Sequence, residues 1–132
     1  MKRIICLLMV CTICCVSCRK DKETIKGEWR WSVTAVNGFI EEIVMPDAGS
    51  VVTLSLDANS RYTTWLNNEI THQGRYSITP GNSMPAVIHF DKDISTDKLL
   101  IHQDEMFSFS ADSLTLFDNY FAGTSYYFIK VH

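Results

Sequence analysis

Cysteine is missing from most of this chain: all five cysteines fall within the first eighteen residues, and the 114 residues after Cys18 contain none. That absence excludes an internal disulfide and any thiolate-ligated zinc site from the body of the protein, so its stability must come from packing. Long apolar runs are also scarce. The longest, Ile4 to Val16, ends at Ser17 with Arg19, Lys20 and Lys22 beyond it, short of the roughly 20 residues that cross a bilayer. Positive charge is outweighed, with 12 lysines and arginines against 15 aspartates and glutamates, a balance that repels nucleic acid phosphates at long range. No ten-residue segment carries a 3.6-residue apolar period, and no nucleophile elbow, phosphate-cradling glycine loop or H-E-x-x-H motif is present. No catalytic residue, cofactor or metal is assigned from these patterns, and a non-enzymatic role is expected. A chain of 132 residues is the size of one domain.

What is present begins with a leader. Met1-Lys2-Arg3 is cationic, and Ile4 to Val16 is apolar apart from cysteines and Thr12, which is the pattern of a signal sequence. Cys11 to Cys14 and Cys15 to Cys18 both have C-x-x-C spacing. A metal or redox pair needs a folded knuckle or a supporting domain, which a greasy leader does not supply. Cys18 stands apart, preceded by the small Ser17 and followed by charge. The stretch Cys15-Val16-Ser17-Cys18 resembles a bacterial lipobox, with Cys15 where that motif normally has Leu, Val or Ile. The resemblance implies a diacylglycerol thioether on Cys18, cleavage before it, and a lipid anchor in a membrane of the bacterial cell envelope, with the outer membrane the expected one and periplasmic and surface display both open. The alternative is an ordinary signal peptide cut near Ser17, which leaves a soluble secreted protein. The expected organisation is a leader over residues 1–17, a charged tether over 18–26 and one domain over 27–132. Loss of Lys2 and Arg3 leaves 10 basic against 15 acidic side chains, a net charge near −5.

From Glu28 onward the chain reads as strands. In Trp29 to Ala35 every odd position is apolar and every even one polar, a period of two that buries one face. Asn37-Gly38 is a hairpin signal, with Phe39 to Met45 as its return arm or a helical turn. Strand-like runs follow at Val51 to Leu56, Arg61 to Leu66, Ile70 to Thr79, Ala86 to Phe90, Leu99 to Ile101, Met106 to Ser110, Ser113 to Phe117 and Thr124 to Val131, separated by short turn clusters. An all-β fold of about eight antiparallel strands follows, as a closed up-and-down barrel or a β-sandwich.

Particular residues narrow this further. Gly27-Glu28-Trp29 resembles the G-x-W signature of the lipocalins, and Gly74-Arg75-Tyr76, Asp112 to Leu116 and Tyr126 to Lys130 resemble later strands of small bacterial lipocalin-like lipoproteins. The resemblance runs from about Ile25 to the C-terminus. It implies an eight-stranded barrel in which Trp29 packs at the closed end under a basic side chain, with Lys130 as the candidate.

A barrel of eight strands either fills with side chains or holds one small ligand. Alternation puts Ile70, His72, Gly74, Tyr76 and Ile78 on one face and Tyr62, Thr64 and Leu66 on the matching face of the strand before. With Trp31, Phe107 and Phe109, these sets could line a pocket. The expected ligand contacts are Trp31, Tyr62, Thr64, His72, Tyr76, Phe107 and Phe109, the apolar-with-sparse-polar composition of small-molecule sites. His89, Asp91 and Asp93 share one side of an extended run, though such runs more often end a strand than bind a cation. Glu41-Glu42 and Asp104-Glu105 are read as surface charge, and Trp65 as an outward aromatic. Two functions stay open: a membrane-anchored module binding a small apolar or amphipathic ligand, or a filled barrel that docks to an envelope protein partner.

Overall fold

The computed structural model of the chain describes residues 25–37, 41–82, 85–118 and 123–132. Cys18, the leader, most of the tether and Gly38 lie outside them. Eleven strands are formed among the described residues: β1 (Gly27–Val36), β2 (Glu42–Val44), β3 (Val52–Leu56), β4 (Arg61–Leu66), β5 (Glu69–Thr79), β6 (Val87–Phe90), β7 (Ile94–Thr96), β8 (Leu99–Ile101), β9 (Asp104–Phe109), β10 (Ser113–Phe117) and β11 (Thr124–Lys130). Eight of them, β1, β3, β4, β5, β6, β9, β10 and β11, pair antiparallel in chain order, and β11 returns to β1. The molecule is therefore a closed up-and-down barrel and not a sandwich. The seam runs from Trp29 opposite Lys130 to Val36 opposite Thr124, and it leaves the eight-stranded wall without an open edge there.

The two additions sit at one end. β2 pairs with the end of β1 through Val36 opposite Glu42, Ala35 opposite Ile43 and Thr34 opposite Val44, so Glu42–Val44 form a return arm. β7 and β8 form a separate hairpin between β6 and β9, and Ile94, Leu99 and Ile101 from it join the barrel core. The opposite end carries the start of β1, the turns after β3, β5 and β9, and the C-terminus.

Turn chemistry fixes the register. Leu66 opposes Glu69 across Asn67-Asn68, whose φ angles of 51° and 71° are the pair that a two-residue hairpin needs and that asparagine tolerates. Between β3 and β4, Asp57 accepts the backbone N–H groups of Asn59 at 2.8 Å and Arg61 at 2.9 Å. Two bulges break the expected alternation. One lies between Trp31 and Val33 on β1, so that Thr34 and not Val33 is buried beyond it. The other lies where Thr64 and Trp65 of β4 meet β5; it sets Ile70 opposite Trp65, and Ile70, expected inside, is 57% exposed.

The interior is packed. Trp29, Trp31, Leu54, Leu56, Tyr62, Ile88, Leu114, Leu116 and Phe128 are fully buried, and each such side chain contributes roughly 1.5–3 kcal/mol by leaving water. Tyr62 meets Phe90 edge to face at 5.1 Å, a favoured aromatic geometry.

Candidate functional site

The end of the barrel that carries the start of β1 is built around Trp29. Its indole N–H donates to the carbonyl of Ile25 at 2.8 Å, which folds the segment before β1 across the barrel mouth and buries Ile25. Lys130 faces Trp29 across the seam, its Nζ 5.2 Å from the ring centroid. Gly27 opposes Leu56 on the other side, and a Cβ there would come within 3.2 Å of Lys130 Cε. The three residues taken from the lipocalin resemblance, Gly27, Trp29 and Lys130, thus meet at one end.

The lipocalin resemblance implies that this end is closed, but beside this group the mouth stays open. A cleft of about 650 Å³ is lined by Ile25, Tyr76, Ile78, Ala86, Phe107 and Phe109 among others, with Lys26 and Ser60 at its rim. Two strands run on past a neighbour here: β5 continues to Thr79 beyond Arg75, which opposes the first residue of β4, and β9 continues to Phe109 beyond Met106, which opposes the first residue of β6. Tyr76 and Phe107 form the floor, 7% and 6% exposed, while Ile78 and Phe109 form the lip at 38% and 39%. Phe107 and Phe109 stack at 6.1 Å with an interplanar angle of 19°. The Tyr76 hydroxyl donates to the Asp57 carbonyl at 2.8 Å, which holds the ring in place and spends its polar atom outside the apolar surface. Burial first, and the Asp57 charge second, push the Tyr76 hydroxyl pKa up, so the phenol stays neutral.

The seven expected ligand contacts divide between this cleft and the core. Tyr76, Phe107 and Phe109 line the cleft. Trp31, Tyr62 and Thr64 are 2% exposed or less and their polar atoms are engaged. The Trp31 indole donates to the Thr34 hydroxyl at 3.0 Å, the Tyr62 hydroxyl to Asp91 at 2.9 Å, and the hydroxyls of Thr64 and Thr71 bond at 2.8 Å. These three residues fill the barrel and do not reach the cleft. His72, opposite Thr64, belongs to the far half of β5, and its buried Nδ1 has no hydrogen-bond partner among the described residues.

Glu105 overturns its reading as surface charge. It opposes Ile88 in the ladder between β6 and β9, shares the inward parity of Phe107 and Phe109, and is fully buried. Oε1 accepts the backbone N–H of His102 at 3.0 Å, and Oε2 has no partner among the described residues. Burial pushes its carboxyl pKa to about 7, the His102 N–H pulls the other way, and Asp118, Asp104 and Asp93 add to the rise. Its neighbour Asp104 does point outward and bonds His89 at 2.6 Å.

His89, Asp91 and Asp93 do not converge. His89 bonds Thr79 and Asp104, Asp91 bonds Tyr62 and the Arg75 N–H, and Asp93 accepts the Gln103 N–H. Among the described residues no cluster of three metal-ligating side chains is found. Ile78, which shares the inward parity of Tyr76 in the sequence, lines the cleft, and so do Ile25 and Ala86, which no sequence pattern marks as pocket residues. The chain matches no protein-family model, no curated protein and no solved structure in the three comparisons made.

Proposed function

We propose that the protein is a lipid-anchored, lipocalin-like module of a bacterial envelope that takes a small apolar or amphipathic molecule at the barrel mouth. The observation that carries this reading is the apolar cleft between the ends of β5 and β9. Its volume of about 650 Å³ lies in the range of small-molecule sites, roughly 300–1,000 Å³. The ligand seat is at the mouth and not in the centre of the barrel, which Trp31, Tyr62 and Phe128 occupy. Lys26, the one cation among the described lining residues, would face a polar head group while the aromatic floor takes the chain.

The packed interior favours a second reading, a filled barrel that docks to an envelope protein. Binding of a pyrene-labelled fatty acid separates the two. The first reading expects saturable binding that falls at least about tenfold in Ile78→Glu and Phe109→Glu, whose side chains sit at the lip, since a buried charge there is costly. Absence of saturable binding to the folded protein favours the second.

A further inference from the structure

The outer wall of the barrel carries a second, chemically different feature. Arg61 of β4 and Arg75 of β5 are directly opposite in the ladder. Both are exposed, and they flank Tyr62 and Gly74, whose side-chain positions face inward. Opposed residues in an antiparallel pair hold their Cβ atoms about 5 Å apart, and like charges so placed destabilise the sheet. Neither guanidinium forms an ion pair among the described residues. Thr63 and Gln73 form the next opposed pair, which adds a hydroxyl and an amide to the same face. These four side chains line a polar cleft of about 530 Å³ together with Asp57 and Asp91.

Both carboxylates in that cleft accept hydrogen bonds from neutral groups. Asp57 Oδ1 accepts the N–H groups of Asn59 and Arg61. Asp91 uses Oδ1 for the Tyr62 hydroxyl at 2.9 Å and Oδ2 for the Arg75 N–H at 3.2 Å. They bond the backbone N–H groups of the arginines and form no ion pair with either guanidinium among the described residues.

We propose that Arg61 and Arg75 form a two-guanidinium clamp for a phosphate-type oxyanion, with Thr63 and Gln73 as neutral donors. A single carboxylate is saturated by one planar guanidinium fork, whereas a tetrahedral oxyanion with three terminal oxygens and up to two charges can accept from both. Binding would convert the repulsion across the ladder into two charge-assisted contacts. The clamp goes beyond the ligand reading of the barrel mouth. The Asp57 to Arg61 turn separates the two clefts, and either site can fail without the other.

The test is the thermal midpoint of the full-length chain as inorganic phosphate is added at constant ionic strength, with chloride as the reference anion. The midpoint is expected to rise with phosphate in the wild type, and the apparent affinity to fall about tenfold in Arg61→Gln or Arg75→Gln. The double variant is expected to lose the effect, and Arg30→Gln, an exposed arginine on β1, to keep it. Without phosphate the double variant is expected to melt no lower than the wild type, because a like-charge pair is removed, which shows that it folds. Soluble short-chain phosphatidic acid distinguishes the source: tighter binding than inorganic phosphate assigns a lipid head group, and equal or weaker binding assigns free phosphate. A midpoint that does not respond to either anion, or a response unchanged in the double variant, overturns the proposal.

Discussion

Asp91, just past the end of β6, lies over Gly74 of β5 and occupies the volume that a side chain at position 74 would need. An added Cβ would stand 2.6 Å from Oδ2 and 2.7 Å from Cγ of Asp91, closer than nonbonded atoms approach. Asp91 cannot swing aside freely, because it holds the Tyr62 hydroxyl and the Arg75 N–H. Burial alone would raise its pKa, but those two donors and Lys92 hold it below the ordinary value, so the carboxylate remains the acceptor. Gly74→Ala should destabilise the protein by about 1–3 kcal/mol, the range for overpacking combined with a displaced hydrogen bond. In the background of Asp91→Ala the same substitution should cost much less. Chemical denaturation of the four proteins in this cycle measures the coupling, and equal costs in both backgrounds would contradict the account.

The Lys130 contact with Trp29 predicts a small, charge-dependent contribution. Lys130→Met keeps a stem of similar length without the charge and should cost about 0.5–1 kcal/mol, the range for a cation over an indole at a partly exposed site. Lys130→Arg should keep the contact. Unfolding followed by tryptophan fluorescence reports both.

Glu105 makes stability depend on pH in a defined direction. Its carboxyl is raised from 4.5 in the ordinary state to about 7 in the folded protein, so the folded chain keeps a proton that the unfolded chain has released. The contribution is whole below pH 4.5 and is lost as the pH rises through 7, because the unfolded state binds fewer protons across that window. The loss amounts to about 3 kcal/mol at most. Glu105→Gln should flatten this part of the profile and raise stability above pH 7, as measured by denaturation at fixed pH values. A wild-type profile that is flat or rises across the window would contradict it.

Much of the barrel was legible in the sequence because its strands are half-buried, so that alternation marks each inward face. The eight wall strands follow from that pattern, and the Asn67-Asn68 turn from the tolerance of asparagine for positive φ. Bulges were not legible, since one inserted residue on β1 and another on β5 reverse the parity without changing composition. That is why Thr34 replaces Val33 inside and Ile70 turns out. Strand β7 has three residues, too few for a period to show. Glu105 shares the parity of Phe107 and Phe109, but its charge and its place just before the strand-like run from Met106 point to the surface, and only the pairing with Ile88 shows it inside. The cleft depends on β5 outrunning β4 and β9 outrunning β6, differences set by where partners end and therefore a property of the pairing.

Membrane attachment follows from the proposed modification of Cys18. In a bacterial host the wild-type chain should sediment with membranes, and Cys18→Ala should move to the soluble fraction, since stable anchoring requires more than one acyl chain. Continued sedimentation of the folded variant with membranes would remove the lipid anchor from the account.

The central claim is that a ligand sits at the barrel mouth. Amide chemical-shift mapping of the protein titrated with laurate tests it most directly. The account predicts saturable shifts concentrated at Ile25 and Lys26, the Ala58 to Ser60 turn, Tyr76 to Gly81, Ala86 and Phe107 to Phe109, the segments that line the cleft. It also predicts little change at Trp31, Tyr62 and Thr64 in the filled interior. No saturable shift, or shifts confined to other parts of the barrel, would contradict it.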